Sequence, residues 1–418
     1  MRVAVIGGGY GGLASAARLA KLGHEVALYE AGPALGGALR PILSEDGPWP
    51  SPVSGVLLPA VIKDLFRKSG RTLDRELDLE HRELIREHRF EDRTTLNVHG
   101  GSRGAQLEEL GQEWVDYVES FSETWEVLRT TYAEVPWDRA HPDKRLRRLL
   151  TSRETLAKRA KRTFKDHRLR IIAEYGAAAT GQNPRYTPAW TGLEVYLEQR
   201  FGMWDVVGGP EALAASLADR MQTRNVAVHL GTPVQDVVVR DNAAVAVALD
   251  GGEADADAVV VATDPRRFPA LERLTTQTLP AIPPAITWIE LDAPLDLPPE
   301  VVLHGGAMIT LRHTGTHLTA IAHAAIGEDL VTALRRHRID LRGRIVRQYD
   351  RTPPQTVEMW NGSPLGISWA GPRTVFDRPG PTTPFKNLYA AGAHATPGAG
   401  LPFVGLSAAL VAQVIGPA

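Results

Sequence analysis

Six residues near the start, Gly7-Gly8-Gly9-Tyr10-Gly11-Gly12, limit what this chain can fold into more than any other feature. Five of the six lack a side chain, so they favour a turn over the interior of a helix or strand. Before them stands Val3-Ala4-Val5-Ile6, a short apolar run that reads as a buried strand. After them, Leu13, Ala16, Ala17 and Ala20 recur at helical spacing as far as Gly23. Val26 to Tyr29 then reads as a second strand, ending at Glu30 and Ala31. Strand, turn, helix and strand within about 30 residues make one βαβ unit. The glycines fit the spacing G-x-G-x-x-G. Gly7 permits the tight turn, Gly9 lets backbone approach a pyrophosphate, and Gly12 lets helix and strand pack closely. The amides that open the helix, from Tyr10 and Gly11 onward, face the anion. Glu30 closes the unit with a carboxylate placed to accept hydrogen bonds from ribose hydroxyls.

Composition removes several chemistries. The chain of 418 residues has no cysteine, which excludes disulfides, thiolate metal sites, thiol nucleophiles and redox dithiols. A flavoenzyme of the disulfide-reductase type cannot be built from it. A net charge of −2 argues against a general nucleic-acid binder. The histidines, including His304, His323 and His394, show no metal-ligand spacing, so no metal is expected. A signal peptide needs an apolar run of roughly 7–15 residues, and the opening run breaks at Gly7. A membrane-spanning helix needs about 20 uninterrupted apolar residues, and the closing stretch 388–415 is cut by Pro397, Gly398, Gly400 and Pro402. A cytoplasmic home fits, and peripheral membrane contact stays open. The oligomeric state is not readable.

Further strand-and-glycine signals come in the middle and at the end of the chain. Gly36-Gly37 follows Glu30 after five residues, where a second backbone approach to the same pyrophosphate would fall. Phe201-Gly202-Met203-Trp204 and Gly208-Gly209 precede a helix over 210–220, and strands are expected over 226–230, 234–239, 244–249 and 259–262, the last followed by Thr263. The ending runs Leu388-Tyr389-Ala390-Ala391-Gly392-Ala393-His394, then Gly398-Ala399-Gly400-Leu401-Pro402-Phe403-Val404. Pro402 can start a helix and Gly400 lets backbone come close. Between these signals lie a helical, charged region over 104–175 and a proline-rich, alternating region over 266–380. Within the former, Lys144 to Arg170 is a basic run in which Leu156, Ala160 and Phe164 recur every four residues. It reads as a solvated face with one buried stripe, and docking to acidic lipid is the second reading.

The order of these motifs resembles the FAD-dependent amine-oxidase superfamily, and within it the bacterial-type phytoene desaturases. The resemblance covers both ends and the middle, and is poor across 100–190 and 266–360. It implies an α/β fold: a Rossmann-like FAD-binding domain with a parallel sheet in three-layer packing, built from 1–75, 200–265 and 381–418. An α+β substrate domain with an antiparallel sheet and helices would occupy 76–199 and 266–380. FAD would be held by Gly7, Gly9, Tyr10, Gly11, Gly12, Glu30, Ala31, Gly36, Gly37, Arg40, Val234, Ala262, Thr263, Gly392, Ala393, Gly400, Leu401, Pro402 and Val404. The strand around Val234 would contact the adenine through its backbone, and the strand ending at Thr263 would run under the cofactor. The family usually places Arg directly after Gly-Gly. Here Ala38 stands there, and Arg40 either supplies that charge or leaves the contact unmade.

The resemblance further implies that a hydride passes from a C–H bond of an apolar, isoprenoid- or polyene-like substrate to the flavin. A second G-x-G-x-x-G is missing, so NADPH is not expected to have its own domain, and the resemblance implies reoxidation by oxygen or a quinone. No catalytic residue can be named. Trp204 and Phe403 are candidates for the substrate pocket, or ordinary core aromatics. Amine oxidation and redox-neutral isomerisation stay open as alternatives. So does a non-catalytic prenyl-lipid carrier, against which the intact glycines and Glu30 argue.

Overall fold

The computed structural model describes residues 1–418. Its first feature is the βαβ unit, with strand Arg2–Ile6 paired in parallel with Glu25–Tyr29 and helix Tyr10–Lys21 crossing between them. Three distant segments extend this sheet. The strand order is Ala227–His229, Glu25–Tyr29, Arg2–Ile6, Ala258–Val261 and Leu388–Ala390, all parallel.

Both faces of this sheet are covered, which is why its strands read as nearly continuous apolar runs. Val3, Val5 and Val260 face one layer, made by Leu13 and Ala17 of the opening helix, Leu213 and Leu217 of helix Gly209–Thr223, and Val411 of the closing helix Leu401–Ile415. Ala4, Ile6, Val259 and Val261 face the other. That second layer is an antiparallel meander of Asp236–Arg240, Ala243–Leu249 and Gly252–Asp255, not helices. The three layers are therefore helices, parallel sheet and meander.

The second body carries a seven-stranded sheet ordered Ile345–Arg351, Ala285–Leu291, His317–Ala322, Ile309–Thr314, Glu300–Leu303, Leu84–Arg89 and Thr95–His99. All pairs are antiparallel except Glu300–Leu303 with Leu84–Arg89. Its helical part packs around Trp114, Phe121 and Phe164.

Three local expectations change. Val56 to Lys68 reads from the sequence as one helix, but the helix starts at Pro59, because Val56–Leu57 pairs as a strand with Met203–Trp204. Pro59 then takes the first helical turn, where its missing N–H costs nothing. A domain edge at residue 75 cuts through this small sheet, since Leu79–Arg82 pairs with the other side of Met203–Val206. The basic run is three helices, Lys144–Leu150, Leu156–Thr163 and His167–Ala179, each started by a side-chain cap from Asp143, Thr155 or Asp166. Leu156, Ala160 and Phe164 are all buried, so the apolar stripe belongs to the core. No helix is long and apolar enough to cross a membrane.

Candidate active site

The glycine turn and the chain's last segment meet in space. A Cβ at Gly11 would stand 2.8 Å from the Gly392 Cα, and one at Gly12 would overlap the Gly7 carbonyl oxygen. Gly7 itself has φ 102°, in the left-handed region. Gly36 and Gly37 return to the same place. The Gly36 amide donates to the Gly8 carbonyl at 2.8 Å, and a Cβ on Gly37 would lie 2.9 Å from the Gly9 Cα. Glu30 closes the turn, its carboxylate accepting the Gly8 amide at 2.6 Å and the Gly32 amide at 2.7 Å. Each oxygen keeps a free lone pair.

A cavity of about 1030 Å³ runs from this turn into the second body. Gly7, Gly9, Tyr10, Gly11, Glu30, Ala31, Gly36, Gly37, Arg40, Val234, Ala262, Thr263, Gly392, Ala393, Gly400, Leu401, Pro402, Phe403 and Val404 all line it. Gly12 is buried behind the turn. Val234 lies in coil after Pro233 and not in a strand, which begins only at Asp236. Trp204 does not line the cavity. It is on a strand, with its indole N–H on the Phe201 carbonyl at 2.9 Å and its ring edge-on to His81. The strand alternation turns its neighbour Met203 inward instead.

Electrostatics suit a long anionic ligand. The opening helix starts at Gly9 and the closing helix at Gly400, neither with a side-chain cap nor an acid in its first turn. Both N-termini line the cavity, so their free amides and positive dipole ends face it. Arg40 adds a guanidinium that donates to the Ala34 carbonyl at 3.3 Å. A diphosphate at the glycine turn, a ribose at Glu30 and a flat ring system towards the closing helix would match these groups one by one.

The deeper half was not visible in the sequence motifs. Trp190 and Trp369 meet edge to face with centroids 5.5 Å apart, beside Leu128, Leu193 and Ile367. Arg378, 4% exposed, has no carboxylate among the groups that act on it. It donates to the Pro397 carbonyl at 2.7 Å, and burial pushes its guanidinium pKa down. Arg139, also lowered by burial, lies close by on the Gly380 carbonyl at 2.6 Å. His394 donates its Nε2–H to the Ser363 carbonyl at 2.9 Å and lies 3.7 Å from Asp264. Burial, the largest influence, lowers its pKa, so the ring is neutral near pH 7. Arg86, Glu198, Glu300, Arg312 and Tyr175 form a buried polar network on the opposite wall. No group of histidines and acids could hold a metal ion.

Comparison with known proteins matches this geometry. Residues 10–290 match the family of flavin-containing amine oxidoreductases. The chain is 30% identical over 282 residues to the hydroxyneurosporene desaturase of Cereibacter sphaeroides, covering 63% of this chain and 56% of that protein. It is 29% identical over 280 residues to the zeta-carotene-forming phytoene desaturase of Myxococcus xanthus, covering 63% and 53%. The chain thus spans just over half the length of these relatives. In fold it is similar to an oxidoreductase from Methanosarcina mazei (TM-score 0.66, 17% identity, 99% and 100% covered). It is also similar to wild-type putrescine oxidase bound to putrescine (TM-score 0.71, 16% identity, 99% of both chains). The family match spans most of the chain and the cradle fits the dinucleotide, so this protein belongs to the flavin-containing amine oxidoreductases and its cofactor is FAD.

Proposed function

We propose that the protein is an FAD-dependent dehydrogenase of the desaturase type, which takes two hydrogens from an apolar, isoprenoid- or polyene-like substrate. One observation carries the reading: the cradle for the nucleotide opens, within a single cavity, into a chamber walled by Trp190, Trp369, Leu128, Leu193 and Ile367. The similarity to two carotenoid desaturases supports it.

Bound FAD would supply a two-electron acceptor for the hydride. The chain's own part is to bind and orient. The aromatic and aliphatic walls hold a hydrocarbon and exclude water, which positions one C–H bond for transfer. The other hydrogen leaves as a proton to water or a base. The buried Arg378 guanidinium donates to the Pro397 carbonyl, where it and the closing helix favour negative charge gained on reduction. Trp190 and Trp369 stand at 90° to each other, so they do not make the parallel pair of rings that an amine oxidase would place around a flat slot. Oxygen or a quinone would take the electrons onward. Contact with a membrane surface would use only the charges of the basic helices, because Leu156, Ala160 and Phe164 face inward.

The test is anaerobic mixing of the FAD-loaded protein with phytoene or hydroxyneurosporene in lecithin vesicles, and separately with alkylamines. Loss of the oxidised-flavin band with a carotenoid is the expected result. Bleaching by alkylamines alone would replace this reading with amine oxidation.

A further inference from the structure

The chamber wall holds one more acid than its cations match. Arg86 binds Glu198 through both terminal nitrogens and reaches Glu300 at 3.4 Å. Arg312 donates to Glu300 at 2.8 Å and also to the Pro52 carbonyl, at 2.6 Å. The Tyr175 hydroxyl donates to Glu300 at 3.1 Å. Two guanidiniums and two carboxylates thus pair off, with Glu198 1% and Glu300 4% exposed.

Glu194 is the remaining acid. It stands in the first turn of helix Glu194–Phe201, and its carboxyl lies against Gly176 of helix His167–Ala179, where any Cβ would overlap Oε2. No ion pair or side-chain hydrogen bond engages it. The charged groups facing it are Glu198 on its own helix, Arg86 on strand Leu84–Arg89 and Glu300 on strand Glu300–Leu303. Arg86 is already committed to the other two. Glu194 lines the cavity between Trp190, Thr191, Tyr175 and Ala177, so its free oxygens face the space a substrate would fill. A pure hydrocarbon would bury this acid with nothing in return, at a cost in binding. A ligand bearing an N–H or O–H would satisfy it.

We propose that Glu194 is the polar anchor of the substrate chamber, and that the substrate carries a hydrogen-bond-donating end group, an ammonium or a hydroxyl, on an otherwise apolar body. This rests on the reading of the deep half as the substrate chamber. Burial, and then Glu198, raise the Glu194 pKa to about 7, so the acid is a stronger partner for a cation as pH rises.

The experiment uses the FAD-loaded protein and three probes of equal chain length: decylamine, decanol and decanoate. Binding is read from the shift each causes in the flavin absorption spectrum, across pH values around 7. For an ammonium site, decylamine binds more tightly as pH rises towards about 7 and then levels off. Glu194→Gln removes that slope and weakens decylamine at least tenfold, about 1.4 kcal/mol. For a hydroxyl site, decanol binds best with a flat pH curve and loses affinity at least tenfold in Glu194→Leu. Flavin content, unchanged in both variants, shows that the cradle survives. If a variant does not fold, the wild-type order of probes and its pH curve decide. Equal binding of all three probes, tightest binding of decanoate, or no loss in either variant would overturn the anchor. Bleaching by a carotenoid without any probe binding removes the anchor and keeps the desaturase. Anchored probes with no bleaching by any carotenoid do the reverse.

Discussion

One methyl group is enough to test the cradle at the scale of a residue. At Gly11 it would stand 2.8 Å from the Gly392 Cα and 3.3 Å from the Val404 side chain. Those neighbours belong to the closing segment, so Gly11→Ala would push apart the two segments proposed to hold the nucleotide between them. The variant is expected to purify with little flavin and to bind added FAD at least tenfold more weakly, about 1.4 kcal/mol, by fluorescence titration. Gly104→Ala is the control. It lies in helix Arg103–Leu110 with nothing within 4 Å of the added carbon, so it should leave FAD binding alone and stabilise by up to about 1 kcal/mol. Arg378 makes a second prediction at this scale. A buried cation without a counter-ion raises the potential of any acceptor in the same cavity that gains negative charge. Arg378→Met should lower the flavin midpoint potential by about 30 mV or more, equivalent to about 1.4 kcal/mol for a two-electron couple. An unchanged potential in a fully loaded variant would show that the guanidinium only holds the Pro397 loop.

Elements meet through the network around Arg86, which ties strands Leu84–Arg89, Glu300–Leu303 and Ile309–Thr314 to helices His167–Ala179 and Glu194–Phe201. Arg86→Met leaves Glu198 and Glu300 buried with too little positive charge, and should cost about 3–5 kcal/mol in denaturant unfolding. The same network gives stability two opposed pH slopes. Although burial pulls the other way, Arg312 and Arg86 hold Glu300 down at about 2, from an ordinary 4.5. Its contribution is therefore full above pH 4.5 and lost as pH falls towards 2. Glu194, raised to about 7, binds its proton more firmly folded than unfolded, so stability falls as pH rises from 4.5 through 7. Glu194→Gln should flatten the second slope and leave the first intact, as measured by urea melts at several pH values. This network also marks where reading the sequence stops. The parallel strands and their glycines were legible because βαβ geometry is local: turn, helix and acid sit within 30 residues. Arg86 and Glu300 are 214 residues apart and carry no spacing rule. Trp204 could not be assigned to pocket or core for the related reason that strand parity decides which of two neighbours turns inward, and Met203 has that parity. Likewise Val56–Leu57 became a strand only because Met203–Trp204 was there to pair with it.

At the scale of the molecule, the proposed nucleotide site is lined by the first, middle and last parts of the chain, and the seven-stranded sheet comes from the segments between them. The parallel sheet takes its strands from residues 2–29, 227–229, 258–261 and 388–390. The three-stranded sheet of Val56–Leu57, Met203–Val206 and Leu79–Arg82 spans the border between the bodies. The cavity is lined from both sides, by Gly9 and Gly400 as well as by Trp190 and Glu300. Neither body can therefore open without disturbing this cavity, and a ligand that touches all the segments stabilises the whole. FAD at a hundredfold excess over its dissociation constant adds about 2.7 kcal/mol to the folded state, which should raise the melting temperature by several degrees. The expected scan has one cooperative transition that moves as a unit with added FAD. If the two bodies were joined only by flexible crossings, the scan would instead show two transitions, of which FAD shifts one. Calorimetry of the flavin-free and flavin-loaded protein distinguishes these outcomes, because only an interlocked chain carries the stabilisation of the cradle into the seven-stranded sheet.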